Sequence, residues 1–136
     1  MPLEPTELIV NVNDLPWTPM GVGAWGKILR VCGETGAWTI MFKQEAGSFA
    51  PPHKHLAAAE FYVLEGCIEY RGGVAKAGHY AREPLGALHE RTRFPEETVY
   101  LFTSYGALAL YGPQGEVAGI MDAETFQAML DARDRA

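Results

Sequence analysis

The chain is short of positive charge. Its 11 lysines and arginines are outnumbered by 17 aspartates and glutamates, giving a formal net charge of -6 at pH 7. Phosphate backbones are bound by basic surfaces, so nucleic acid is not an expected partner. Cysteine is scarce too, with only Cys32 and Cys67. Two cysteines far apart in sequence argue against a disulfide framework and fit reduced thiols in the cytoplasm. No apolar run approaches the length of a bilayer span, so no membrane partner is expected. The opening "MPLEPTELIV" lacks a basic stretch followed by an apolar one, so no secretory signal is expected there. Repeats, low-complexity tracts and a linker long enough to divide the chain are also missing.

What is present is enough for one core. The chain has 136 residues, of which 48% are apolar, a composition that is globular and suits a single domain. Many short segments are punctuated by Gly and Pro. "GKILRVC" (26–32) reads as a strand, and "AWTIMFKQE" (37–45) alternates Trp38, Ile40 and Phe42 against Thr39, Met41 and Lys43. "EFYVLEG" and "CIEYRGG" read as a hairpin closed at Gly66 and ending in a Gly-Gly turn. Short strands follow in "AGHYAREPLGALHERT", "ETVYLFTSYG" and "ALALYGPQG". Regular short strands predict an antiparallel sandwich or barrel. Only "MDAETFQAMLDARDRA" has a helical pattern, with Asp122 as N-cap and Phe126, Met129 and Leu130 on one stripe. The expected division is an arm over 1–24, a β-barrel over 25–118 and a packed helix over 119–136.

The chemistry concentrates in "GSFAPPHKHLAAAEFYVLEG" (47–66). On a strand, residues i and i+2 share a face, so His53 and His55 project the same way. Neutral imidazoles so placed can converge on one ion of zinc, iron, nickel or copper. Two surface histidines at a strand start would give the same sequence. A third imidazole, His89, follows the Pro84-Leu85-Gly86 turn, in which Pro fixes φ and Gly permits a tight reversal. His79 has no such framing and reads as a surface residue or one that supports a ligand from behind.

These segments resemble the two cupin motifs. Gly47, five residues and then His53-x-His55, an acid position and Gly66 look like the first. Gly78, five residues, Pro84-x-Gly86, two residues and His89 look like the second, with Arg93 where the family usually has Asn. The resemblance covers residues 25 to 115. It implies an all-β, single-domain jelly-roll barrel holding a metal on His53, His55 and His89, and commonly a homodimer formed through edge strands.

The acid position is ambiguous by one residue. Counted forward from His55 it falls on Glu60; counted back from Gly66 it falls on Ala59. A one-residue shift on a strand turns a side chain to the other face. The strand before Gly66 fixes the register more firmly than the loop before it, so Ala59 is expected inward and Glu60 outward. The expected site is then three histidines with open positions, and Glu60 as a fourth ligand through a bulge is the alternative.

Three-histidine cupins resemble iron(II) dioxygenases that cleave carbon–carbon bonds beside carbonyls, such as the acetylacetone-cleaving and 2,4'-dihydroxyacetophenone enzymes. "PWTPMGVGAWGKIL" and "YAREPLGALH" also look like that group and like the cupin domain of ChrR-type anti-sigma regulators. The resemblance implies one divalent metal, iron(II) first, with zinc, nickel or manganese as alternatives, and a small-molecule diketone or hydroxyketone substrate. A ChrR-like metal sensor and a non-redox cupin enzyme are the competing readings. Trp38, Phe42, Ala59, Phe61, Tyr100 and Phe102 are candidates for the pocket wall, each equally at home in a core. Arg82, if inward, could hold a carboxylate or an enolate oxygen. Glu96 and Glu97 read as a solvated turn.

Overall fold

A computed structural model describes residues 7–135. The first six residues, which open the expected arm and the stretch read for an export signal, lie outside the described residues, as does Ala136. In chain order the strands are β1 (Thr18–Gly21), β2 (Ala24–Val31), β3 (Trp38–Gln44), β4 (Ser48–Ala50), β5 (His53–His55), β6 (Ala59–Glu65) and β7 (Cys67–Tyr70). They continue as β8 (Gly73–Lys76), β9 (Tyr80–Glu83), β10 (Leu88–His89), β11 (Thr92–Phe94), β12 (Thr98–Ser104), β13 (Leu108–Tyr111) and β14 (Val117–Met121). One helix, α1 (Ala123–Arg135), follows.

The strands form one six-stranded sheet, β1-β2-β3-β12-β6-β9, and two four-stranded sheets, β10-β5-β13-β14 and β4-β11-β7-β8. Every pairing is antiparallel. The architecture is a jelly-roll sandwich. The sheets do not close on themselves, which corrects the expectation of a barrel. β1 also recruits part of the expected arm into the large sheet, and β14 runs past the expected boundary at 119.

The alternation read from the sequence sets the inward face. Trp38, Ile40, Phe42 and Gln44 of β3 are buried while the residues between them are half-buried. Register pins their neighbours: Phe42 lies opposite Tyr100, and Ile40 opposite Phe102. The core draws on all three sheets, with Phe61 and Val63 from the large one, Ile68 and Phe94 from one small sheet and Leu108 from the other. The helix starts as expected. Asp122 Oδ1 accepts from the Thr125 N–H at 2.8 Å, and Phe126 is buried against Trp38 with ring centroids 4.7 Å apart. Met129 and Leu130 pack on the same core, so α1 covers one flank of the sandwich.

The hairpin expected across Gly66 is not there. β6 pairs with β12 and β9, whereas β7 pairs with β11 and β8. Gly66 is the single residue at which the chain leaves one sheet for another, too short a link for a hairpin turn. Its φ is 90°, and a Cβ there would lie 2.4 Å from the Glu97 carbonyl oxygen and from Thr98 Oγ1. The real hairpin is β7–β8, in which Tyr70 faces Gly73.

Gly66→Ala therefore combines backbone strain with a clash against main chain. We expect it to cost about 2–4 kcal/mol of folding stability, read as a lowered urea midpoint with unchanged slope.

Candidate metal centre

Strand pairing brings the three imidazoles together. β5 sits between β10 and β13, and His89 of β10 is registered directly opposite His53. His53 and His55 both turn inward, as their spacing requires. The ring centroids lie 5.2 Å apart for His53–His55, 4.9 Å for His53–His89 and 5.1 Å for His55–His89. His55 is completely buried.

A carboxylate joins the group, and it is not Glu60, the alternative the sequence offered. Glu83, the last residue of β9, is buried and contributes to a cluster with His53, His55 and His89 whose donor atoms all lie within 4.8 Å of one another. Glu83 Oε2 contacts His89 Nε2 and lies 2.5 Å from His55 Nε2. The register explains its arrival: Glu83 is the cross-strand partner of Ala59 on β6. Ala59 is inward and 1% exposed, as the count back from Gly66 requires. Its small side chain leaves the place of an acid open, and the neighbouring strand fills it from the same face. The expectation of an acid-free three-histidine set is corrected on this point.

Glu60, the alternative acid, lies on the other face of β6. Its carboxylate accepts from Tyr80 Oη at 2.5 Å and Tyr105 Oη at 2.6 Å, and these two bonds hold its pKa low. Arg82 is exposed and registered opposite Glu60, so it does not enter the site. His79 is exposed, with Nδ1 accepting from the Lys76 N–H at 3.0 Å. Glu96 and Glu97 are exposed between β11 and β12.

The donor set fits a cation. Buried polar atoms are normally paired, yet His55 Nε2 makes no hydrogen bond although Glu83 Oε2 lies 2.5 Å away, and an ion shared by the two would satisfy both. Donor atoms about 2.0–2.2 Å from a shared ion lie up to about 4.4 Å apart, so little contraction is needed. His53 Nδ1 lies 2.9 Å from the Pro51 carbonyl and donates to it, which leaves the Nε2 lone pair free to ligate. Burial pulls the His53 pKa down to about 4, so at neutral pH this ring is in the neutral, ligating form. Burial pushes the Glu83 carboxyl up, but His55 and His89 against it act more strongly the other way and hold it at about 2.

Two cavities meet at His53, and the inner one also borders Glu83 and His89. The inner one, of about 50 Å³, is bounded by His53, Glu83, His89, Phe61, Tyr70 and Tyr100, among others. The outer one, of about 490 Å³, is walled by Trp38, Phe42, Tyr100, Phe102, Leu110 and Met121, among others. Four of the aromatic pocket candidates, Trp38, Phe42, Tyr100 and Phe102, thus line the outer space, and Phe61 lines the inner one. Trp38 is at once core and wall, its Nε1 donating to the Gly106 carbonyl at 3.0 Å. Tyr70 was not anticipated. Its ring lies 5.3 Å from that of His89, and burial first, then Glu83, pushes its phenol up. The alternation of Ile68 and Tyr70 on β7 was the available signal.

The profile of the ChrR cupin-like domain matches residues 5–109. The chain is 34% identical to the acetylacetone-cleaving enzyme of Acinetobacter johnsonii over 143 aligned positions, which span 96% of this chain and 93% of that one. The crystal structure of an acetylacetone dioxygenase from the same organism superposes with a TM-score of 0.79 at 28% identity, covering 94% of this chain and 92% of that one. That of a candidate acetylacetone dioxygenase from Methylibium petroleiphilum PM1 gives 0.86 at 27%, covering 95% and 97%. The anti-sigma factor ChrR of Rhodobacter sphaeroides, solved with SigE, shares the fold at a TM-score of 0.61 and 20% identity, covering 69% of this chain and 51% of that one.

The electrostatics predict acid sensitivity of the metal-free protein. Between pH 6.5 and about 4 an unfolded chain protonates His53 and the folded chain does not, so stability falls as pH drops through that window. The Glu83 contribution is present above pH 4.5 and is lost as pH falls towards about 2. Chelator-treated protein should lose on the order of 2 kcal/mol between pH 7 and pH 4.5, measured by urea unfolding. His53→Gln should flatten that slope.

Proposed function

The chain belongs to the ChrR cupin-like domain family, and on that footing we propose that it is a mononuclear iron(II) dioxygenase cleaving a carbon–carbon bond beside a carbonyl in a diketone or hydroxyketone. The carrying observation is the cluster of His53, His55, His89 and Glu83 beside an apolar cavity. The likeness to an acetylacetone-cleaving enzyme at 34% identity supports the reaction class. Histidine and carboxylate donors suit iron(II), and zinc, nickel and manganese accept them as well. When bound, the ion would supply a Lewis acid for two substrate oxygens and the electrons that open O2 to reaction. Both oxygen atoms end in the two fragments, so no external reductant is required.

The chain's own residues have separate tasks. Pro51 holds His53 in the tautomer that presents Nε2. Glu83 bears one negative charge at neutral pH and anchors His55 and His89. With Glu83 counted, a divalent ion leaves the site one positive charge, which a single enolate would neutralise. The aromatic walls keep water from the reacting centre.

The same barrel-derived sandwich could serve a ChrR-like sensor holding zinc, and the family match favours that as the second reading. A non-redox enzyme using zinc, nickel or manganese is the third. Free Cys32 and Cys67 support a cytoplasmic setting. Among the described residues no helix is long and apolar enough to cross a membrane. A homodimer is part of the proposal, since β1 and β9 end the large sheet as edge strands.

Protein purified anaerobically from iron-replete cells should carry about one iron per chain and consume O2 with acetylacetone. Stoichiometric zinc with no O2 uptake in the iron-reconstituted protein would move the assignment to the sensor or the non-redox enzyme. Glu83→Gln should weaken metal binding by about 10- to 100-fold. Glu60→Gln should leave metal content unchanged, because its carboxylate faces Tyr80 and Tyr105 on the outside.

A further inference from the structure

We propose that the substrate carries a bulky, uncharged apolar arm, aryl or branched alkyl, on one side of its chelating oxygens, and that the outer cavity receives this arm. The inference rests on the dioxygenase reading and sharpens its substrate class.

The two spaces differ about tenfold in size and share walls at Ala50, His53, Tyr100 and Phe102. The inner one, about 50 Å³ beside His53, Glu83 and His89, has room only for the chelating end. The outer one, about 490 Å³, is within the range of pockets that bury whole ligands. A diketone with a methyl group on each side leaves most of it unfilled. A ring or branched chain would displace water from an apolar wall, where that water has few partners.

The wall also selects by charge. No charged side chain lines the outer cavity among the described residues. Its polar groups are His53, already assigned, and three others that have partners. Trp38 Nε1 donates to the Gly106 carbonyl, Ser48 Oγ donates to Gln44 Oε1, and Tyr100 is hydrogen-bonded to Gln44. Arg82 is registered opposite Glu60 on the outer face, and Arg91 is stacked on the Phe49 ring, 3.4 Å from its centroid, without joining the wall. A carboxylate on the arm would be buried with no cation to meet it, which is unfavourable. Diketones with an acid on the arm are therefore disfavoured, and those with one large neutral substituent are admitted.

Calorimetry on zinc-loaded protein separates this claim from the reading beneath it, because zinc binds the diketone without turning it over. The probes are acetylacetone, benzoylacetone and 4-carboxybenzoylacetone, whose carboxylate sits at the far end of the aryl arm. Benzoylacetone should bind about tenfold or more tighter than acetylacetone, the value of burying one additional ring face. 4-Carboxybenzoylacetone should bind at least tenfold more weakly than benzoylacetone. Ala24 is a buried residue of the outer wall, on the strand next to Gln44 and away from the metal group. Ala24→Phe should remove the preference for benzoylacetone over acetylacetone while zinc content stays unchanged. Equal affinity for acetylacetone and benzoylacetone, or tighter binding of 4-carboxybenzoylacetone than of benzoylacetone, would overturn the apolar-arm assignment and leave the diketone site standing. Binding of none of the three to protein carrying one zinc would overturn both.

Discussion

A carboxylate removed from water is strongly unfavourable unless donors or positive charge meet it. Glu83 satisfies that condition with two imidazoles against one oxygen, and much of the surrounding structure serves to keep them there. β9 must pair with β6 in one register so that Glu83 faces Ala59. β5 must be held on both sides, by β10 and β13, so that His53 and His55 point inward. A slip of one residue in either pairing would send one of these side chains to the outer face and leave the others buried without a partner. The polar cluster thus depends on strand register, whereas apolar cores tolerate some repacking.

Much of this was legible in the sequence. Period-two alternation located β3 and its buried face, Asp122 announced the helix, and the two spaced motifs marked His53, His55 and His89. The inward turn of Ala59 followed from the rigid strand before Gly66. Glu83 was not legible for a definite reason. In "YARE" the bulky Tyr80 and the charged Arg82 share the outer face, and small Ala81 shares the inner face with an acid. Hydrophobic periodicity gives no sign of that arrangement, since the site breaks the polarity rule by which strands are read. The link at Gly66 failed for another reason. A glycine between two alternating segments looks the same whether the strands pair or part, and only long-range partners decide.

The outer cavity reflects a division of labour along single strands. Phe42 and Tyr100, stacked with centroids 5.5 Å apart, belong to the packed interior and to the wall of the open space at once. Trp38 likewise joins Phe102 and Phe126 while bordering the cavity. Side chains held by packing and by their own hydrogen bonds keep their rotamers when the space beside them fills or empties. A pocket wall that is also core is therefore stiff, and it recognises shape more than it adapts to it.

The place of the acid also bears on how such a site can be inherited. Where the carboxylate sits on β6, any gain or loss of one residue in the loop at 56–58 threatens the centre. Here Glu83 and His89 lie on either side of the Pro84-Leu85-Gly86 turn and travel together as one short segment, and His53 and His55 form the other. The stretch between the two segments can drift in length without dismantling the donor set, provided β6 still offers a small residue opposite Glu83. Modularity of this kind keeps the loops that shape the entrance separate from the two short segments that carry the four side chains.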